Sequence, residues 1–356
     1  MRILIGWADD ASPNLGVRAL GKGSIDVLRS VFPDAEIEMM NYGRKPDSIS
    51  WPPRSLVKER VLNRTGMMAW LRSFDLYWDT RSGDSFADIY GMHRHLTMSL
   101  IHEFAAQAGV RCVMAPQTIG PFRHRRGRAL ARRNLRRSDL VFARDPISAS
   151  VADELGRPVD ALTTDMVFAV TQPPSDVARD VIVNVSGLLW STNPHVDHEQ
   201  YRESIVTVIR GLLEDGRTVS LLPHVLTSAD PDNDVPAVDA VKGMFGDEVE
   251  VLVPQGLDDA RAAIGSANLV IGARMHACLN ALSTGTPAVA MAYSRKFRPL
   301  LADLGWDAVV DIRDADTTST AVLEAARRDL TQEAAAVQRE GAVRIDTLRT
   351  LVADLT

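Results

Sequence analysis

Arg274 and His276 stand two residues apart in the run NLVIGARMHACLNALSTGTPAVAMAYSRKF, residues 268–297, where two apolar strand-like stretches flank a short helical one. A hydrophobic core needs neither residue. A guanidinium presents a planar fork of charge-assisted donors that fits a carboxylate or phosphate. An imidazole takes and gives a proton near neutral pH. Together they are parts of a site that holds an anion and moves a proton. In the helical stretch Met275, Cys278, Leu279 and Leu282 recur at i, i+3, i+4 and i+7, which predicts one buried apolar face with His276 and Asn280 opposite. On a helix Arg274 and His276 would lie about 200° apart. They converge only if Gly272 to His276 is extended or just turning, at the carboxyl end of a strand, where open α/β sheets bind ligands.

Other polar residues fall at similar places. His224 ends the strand-like SLLPH and points to the same edge of the second half. Arg144 and Asp145, in FARDPIS, follow another apolar run, either as an anion-binding arginine or as a plain ion pair closing the strand. Asp84, Gln117 and Asp165 occupy strand ends or loops of the first half. GVRALGKGS, residues 16–24, nearly matches a P-loop, but Gly23 replaces the magnesium-binding hydroxyl and the preceding strand ends too early. A glycine-containing loop followed by an amphipathic helix is the better reading, and its first amides could hold an anion. ADPDND, residues 229–234, lacks the glycine and glutamate of a calcium loop and reads as a polar turn. No C-x-x-C or H-E-x-x-H spacing occurs, so no metal site is expected.

The elements that must position these residues alternate throughout. Strands are expected at RILIGW, EIEMMNY, FDLYWD, RCVMAPQ and DLVFARD, then at VIVNVS, VSLLPH, EVEVLVP, NLVIGAR, PAVAMAY and AVVDI, with helix-length segments between most of them. Such alternation implies parallel sheets covered on both faces. At 356 residues two domains are expected, and the proline-bearing TQPPSDVARD, residues 171–180, reads as the linker. The expected division is 1–172 and 173–356, two Rossmann-like domains facing a cleft. Residues 319–340 read as a helix that closes the second domain or crosses back to the first. The composition, 46% hydrophobic and 24% charged with net charge −6, is that of a globular protein without a membrane span or secretory signal. Cys112 and Cys278 sit in apolar segments and read as buried thiols, so a reducing cytoplasm fits best.

NLG at 14–16, SGDSFADIYG at 82–91, APQTIGPF at 115–122, FARDPIS at 142–148, TTD at 163–165, LPH at 222–224 and GARMHACLNALSTGTPAVAMAYSRK at 272–296, in this order, resemble the polysaccharide pyruvyl transferase family. The resemblance runs to about residue 305 and implies a fold similar to the two-domain, B-type glycosyltransferases. It implies transfer of an enolpyruvyl group from phosphoenolpyruvate, a co-substrate with no further cofactor, to a sugar of an exopolysaccharide or cell-envelope glycan, closing a pyruvate ketal on two hydroxyls. By that resemblance Arg274 and His276 bind the donor and act in catalysis. From their positions at strand ends and loops, His224 is expected to act with them, and Asn14, Gly16, Asp84, Gln117, Arg144, Asp165 and Lys296 are expected to contact substrate. The chain departs from the family in DTRSGD, where a glycine run often precedes GD, and in Val17 and Arg18, where an acidic residue is more usual. Both departures fall in the half expected to meet the acceptor.

Two other functions compete. A nucleotide-sugar glycosyltransferase of similar fold commonly grips the ribose with a glutamate before GTP, but residues 272–290 hold no acidic side chain. A non-catalytic glycan-binding relative would keep the fold and release no phosphate. Residues 123–137, RHRRGRALARRNLRR, carry eight arginines on an expected helix. They form a solvated face or, more sharply, a patch for anionic lipid at the inner face of the membrane or for the diphosphate of a lipid-linked glycan. Without interleaved aromatics, and with a negative total charge, nucleic acid is not the expected partner. The oligomeric state is left open.

Overall fold

The structure, a computed structural model, describes residues 1–175, 177–228, 232–294, 297–313 and 317–355. The chain forms two compact units: Met1–Asp10, Leu20–Ala169 and Val343–Thr356 make the first, Ala11–Ala19 and Val170–Ala342 the second. Two stretches thus depart from a single division at residue 172. The loop bearing Asn14 and Gly16 groups with the second unit, and the C-terminal segment with the first.

In sequence order the first half contains β1 (Arg2–Gly6), α1 (Leu15–Val31), β2 (Glu36–Met40), α2 (Pro53–Leu62), α3 (Met67–Arg72), β3 (Leu76–Asp79), α4 (Met92–Gln107), β4 (Arg111–Gln117), α5 (Arg125–Arg137), β5 (Leu140–Ala143), α6 (Pro146–Glu154) and β6 (Ala161–Leu162). All the pairings are parallel, in the order β2-β1-β3-β4-β5-β6. The strands are apolar on both faces because both faces are covered. One face packs Ile3, Ile5 and Trp78 against Leu20, Val27 and Leu28 of α1 and against Ile345, Leu348 and Val352. The other packs Leu4, Tyr77 and Cys112 under α2, α3 and α4, and Met114, Val141 and Ala143 under α5 and α6. The two-residue β6 carries no run long enough to be read from sequence.

The second half contains β7 (Arg179–Asn184), α7 (Gly187–Trp190), α8 (His198–Glu214), β8 (Val219–Leu221), α9 (Val235–Phe245), β9 (Val249–Val251), α10 (Leu257–Gly265), β10 (Ala267–Gly272), α11 (Met275–Ser283), β11 (Ala288–Ala292), α12 (Phe297–Asp303), β12 (Val309–Asp311), α13 (Thr318–Ala326) and α14 (Thr331–Ala353). Its parallel sheet has the order β12-β11-β10-β7-β8-β9. Instead of one helix over 319–340 there are two, α13 and α14, separated at residues 327–330.

The P-loop-like GVRALGKGS lies inside α1, so it forms no phosphate loop. Gly23 serves packing instead. A Cβ there would stand 2.1 Å from the Met166 carbonyl oxygen, so only glycine lets α1 lie this close to that backbone. Both thiols are buried, and burial pushes Cys278 up to about 12.

Candidate functional site

Strand order points to where a ligand should sit. Crossovers in the second sheet run one way from β7 through β8 to β9 and the other way from β10 through β11 to β12, so the order reverses between β7 and β10. Open α/β sheets hold ligands beyond the carboxyl ends of such a pair. Those ends are Asn184, on β7, and Arg274 to His276, after β10. Asn184 Oδ1 accepts from the Arg274 amide at 3.1 Å, so the two ends are tied together. Arg274 is the last extended residue, at φ −89° and ψ 121°, and α11 begins at Met275. The chain turns between the two residues of interest.

Their side chains then part. The Arg274 guanidinium, 8% exposed, donates through Nη1 to Asp232 Oδ1 at 2.7 Å and through Nη2 to Asp234 Oδ1 at 2.6 Å, while Nε reaches the same Asp234 oxygen at 3.1 Å. Burial alone would lower its pKa, but Asp234 and Asp232 outweigh that and hold it above its usual value. An open, two-pronged anion clamp is therefore not what this geometry presents. Each prong already meets a carboxylate.

Asp234 is the hub of the site. Fully buried, it accepts from the Gly187 amide through Oδ1 at 2.7 Å and from the His224 and Val225 amides through Oδ2, both at 2.9 Å. It thereby fixes the starts of α7 and α9 and the segment after β8 around one charge. The expected polar turn is thus an organising element. Read only as a failed calcium loop, ADPDND gave no sign of it; residues 229–231 lie outside the described residues. Asp232 is the more open partner, its side chain 30% exposed.

His276 sits in the first turn of α11, half-buried. A Cβ on Gly16 would come within 2.6 Å of its Nδ1, so the ring lies directly on the Gly16 α-carbon. Asn14 and Gly16 are brought to the site by backbone pairing: Leu15 N donates to His224 O at 3.1 Å, and Asn14 bridges Val225. The Asn14 side chain accepts from the Gly16 amide at 2.9 Å, capping α1.

Asn280, expected on a polar outer face of α11, is instead fully buried. Its Oδ1 accepts from Arg261 at 2.7 Å, which turns its Nδ2 toward the His276 carbonyl at 2.7 Å and His224 Nε2 at 3.1 Å. Nδ2 can only donate, so His224 Nε2 accepts and its ring proton resides on Nδ1. Burial, then the charges of His276 and Arg274, lower the His224 pKa well below its usual value. His224 is accordingly a neutral imidazole within the electrostatic reach of both. Lys296 lies outside the described residues.

In the first unit the order reverses between β1 and β3. Three non-glycine residues there have left-handed backbones: Trp7 at φ 65°, Arg81 at 46° and Ser82 at 52°. Such strain gathers at functional sites. Ser82 Oγ donates to the Trp7 carbonyl at 2.9 Å, joining the two strand ends. Arg81 is buried among Asp79, Ser99 and Asn134, donating to each, and His102 Nδ1 donates to the same Asp79 oxygen, Oδ2, at 2.8 Å. Arg81 belongs to no motif of known chemistry, so nothing in the sequence singles this cluster out.

Arg144 pairs not with Asp145 but with Asp165, Nη1 to Oδ2 at 2.7 Å and both nearly buried, and its Nε donates to Thr118 at 3.0 Å. Asp145 caps α6. Its guanidinium engaged by the Asp165 carboxylate, Arg144 forms an ion pair at the end of β5 rather than an open anion site. Gln117 is fully buried and donates to the Asp79 and Ala115 carbonyls, so it ties strands together. Asp84 remains half-buried, accepting from Tyr90 at 2.9 Å.

Buried histidines make stability depend on pH. His224 and, in the first unit, His95 are both kept neutral. Burial, then Arg81, pushes His95 down to about 4. The unfolded chain holds its histidines near their ordinary value, so between pH 6.5 and 4 it binds more protons than the native state. Stability is full above that window and falls as the pH drops through it, by about 3 kcal/mol for His95 alone. Urea unfolding at pH 7.5 and 5 should show about 2 kcal/mol of this loss, and His95→Gln should flatten it. An unchanged slope in the variant would contradict the assignment.

A family model described as polysaccharide pyruvyl transferase matches residues 14–295. No curated protein matches the chain. Among solved structures, the UDP-GlcNAc 2-epimerase from Neisseria meningitidis bound to UDP-GlcNAc is similar with a TM-score of 0.59 and 12% identity, covering 99% of this chain and 100% of that one. The UDP-GlcNAc 2-epimerase from Methanocaldococcus jannaschii gives 0.55 and 12%, with 98% and 100% covered. Anabaena Alr3699/HepE in complex with UDP and glucose gives 0.54 and 11%, with 100% and 99% covered. At these identities the likeness is one of fold: two parallel-sheet α/β domains.

Proposed function

The chain belongs to the polysaccharide pyruvyl transferase family, and from that premise we propose that it moves the enolpyruvyl group of phosphoenolpyruvate onto a glycan sugar and closes a pyruvate ketal. The observation that carries this reading is the convergence of His276, His224, Arg274 and Gly16 at the switch point of the second unit, all inside the matched span. The amino end of α11 and Arg274 supply the electropositive side that the donor's anionic groups need. Arg274 keeps the buried Asp234 and exchanges the more exposed Asp232 for the donor's carboxylate.

The chemistry then runs without another reagent. His276 gives a proton to the methylene carbon while one sugar hydroxyl attacks the neighbouring carbon and loses its own proton. A second hydroxyl displaces phosphate from the same carbon. The methylene becomes a methyl, and the two hydroxyl protons restore His276 and leave with phosphate. His224, neutral and locked by Asn280, orients the site and holds no charge against the imidazolium.

A nucleotide-sugar donor is the competing reading, since two of the solved structures of similar fold carry UDP-GlcNAc or UDP. Calorimetric titration separates the two. Phosphoenolpyruvate should bind with a Kd below about 1 mM, an affinity of roughly 4 kcal/mol or more, while UDP-GlcNAc should give no heat. Binding of the UDP-sugar alone would overturn the donor assignment.

A further inference from the structure

The outer surface of the helices that cover one face of the first sheet combines exposed apolar side chains with an arginine face. Between α2 and α4 runs a groove of about 630 Å³ lined by Val57, Val61, Leu62, Leu96 and Leu100. Val57 is 48% exposed, Leu62 42% and Val61 76%. These are large values for branched apolar residues gathered in one place. Arg54 and Lys58 also line it, Arg60 and Arg64 are exposed nearby in sequence, and the acidic residue of α2, Glu59, is turned inward to accept from the Arg64 and Thr65 amides.

On the other side of α4 lies α5. Gly127, Ala131, Asn134 and Leu135 face inward, and Arg125, Arg126, Arg132, Arg133, Arg136 and Arg137 are exposed. Glu103 engages Arg133 at 2.6 Å and Arg137 at 3.8 Å. Among the described residues no carboxylate pairs with Arg125, Arg126, Arg132 or Arg136. A chain of hydrogen bonds joins the two features across α4: Arg60 to Gln107 at 2.9 Å, Gln107 to Glu103 at 2.7 Å, and Arg133 to Glu103 at 2.8 Å. Groove and arginine face thus belong to neighbouring helices, α2 and α5, tied together through α4.

We infer that this α2–α4–α5 surface docks the protein peripherally on an anionic phospholipid bilayer. The valines and leucines of the groove enter the boundary between headgroups and acyl chains, and the arginines bind headgroup phosphates. Charge complementarity selects this occupant. In a chain of net charge −6, a concentrated cationic face beside exposed aliphatic groups matches a surface that is negative outside and apolar beneath. A solvated face would need no groove, and a polyanion site would need no aliphatic side chains. No described helix is long and apolar enough to span, so contact is from one side. The inference does not depend on the donor, and neither surface patch belongs to the proposed site.

Flotation of the full chain with vesicles tests it. Vesicles of phosphatidylcholine with phosphatidylglycerol should carry the protein at low salt, and phosphatidylcholine alone should not. Arg125→Gln, Arg126→Gln, Arg132→Gln and Arg136→Gln together should lower partitioning by about a hundredfold or more. Val61→Ser with Leu62→Ser, both exposed and harmless to the core, should lower it about tenfold with the arginines intact. Turnover on a soluble acceptor should survive in both variants. Absence of flotation would overturn the inference. So would binding that the serine pair leaves unchanged and that soluble polyphosphate competes away, which would make the surface a polyanion site.

Discussion

Changing His276 to glutamine is expected to lower turnover by about 10²–10⁴, the usual contribution of a general acid–base group, while leaving affinity for phosphoenolpyruvate nearly intact. Glutamine keeps the approximate size and the hydrogen bonding but cannot titrate. The ring lies on the Gly16 α-carbon and outside the apolar core of α11, formed by Cys278, Leu279 and Leu282, so the variant should fold normally. Donor affinity from calorimetry and turnover from phosphate release separate the roles. Full turnover in the variant would remove His276 from proton transfer. Loss of donor binding with unchanged maximal turnover would make it a binding residue.

Asp234→Ala should cost stability rather than chemistry alone. It leaves the buried Arg274 with only the half-open Asp232 and strands the amides of Gly187, His224 and Val225. Breaking a buried ion pair from one side costs about 3–5 kcal/mol. In a unit of this size that corresponds to a melting temperature lower by roughly 6–20 °C. Asp232→Asn is the contrasting variant. With its side chain 30% exposed it should cost about 1 kcal/mol or less. If the donor's carboxylate replaces Asp232 on Arg274, removing that competing charge should tighten phosphoenolpyruvate binding several-fold. Differential scanning calorimetry and donor titration of both variants give the comparison. A stable Asp234→Ala protein would contradict the hub, and weaker donor binding in Asp232→Asn would contradict the exchange.

Strands were legible because parallel sheets buried on both faces leave near-continuous apolar runs, and NLVIGAR, VIVNVS and RCVMAPQ each became one. Arg274 and His276 were legible as polar residues at the end of such a run. By the same logic Asn184 could have been found, since it is the polar residue that interrupts VIVNVS, where β7 ends. Asp232 and Asp234 could not. Their partners are 40 or more residues away in sequence, and no local spacing announces an ion pair closed by the fold. Periodicity also misled at Asn280: a polar residue opposite the apolar stripe predicts solvent, whereas the helix is surrounded and the amide is needed inside to orient His224. Membership of residues 11–19 in the second unit depends on backbone pairing with the segment after β8, which sequence order conceals.

One measurement reads both the donor and the product. Incubated with phosphoenolpyruvate and a panel of lipid-linked and soluble glycosides, the protein should release phosphate only when an acceptor is present. Mass spectrometry should then find the acceptor heavier by phosphoenolpyruvate less phosphoric acid, in equal amount to the phosphate released. Acceptor modified only when a UDP-sugar is supplied, with phosphoenolpyruvate untouched, would contradict the account.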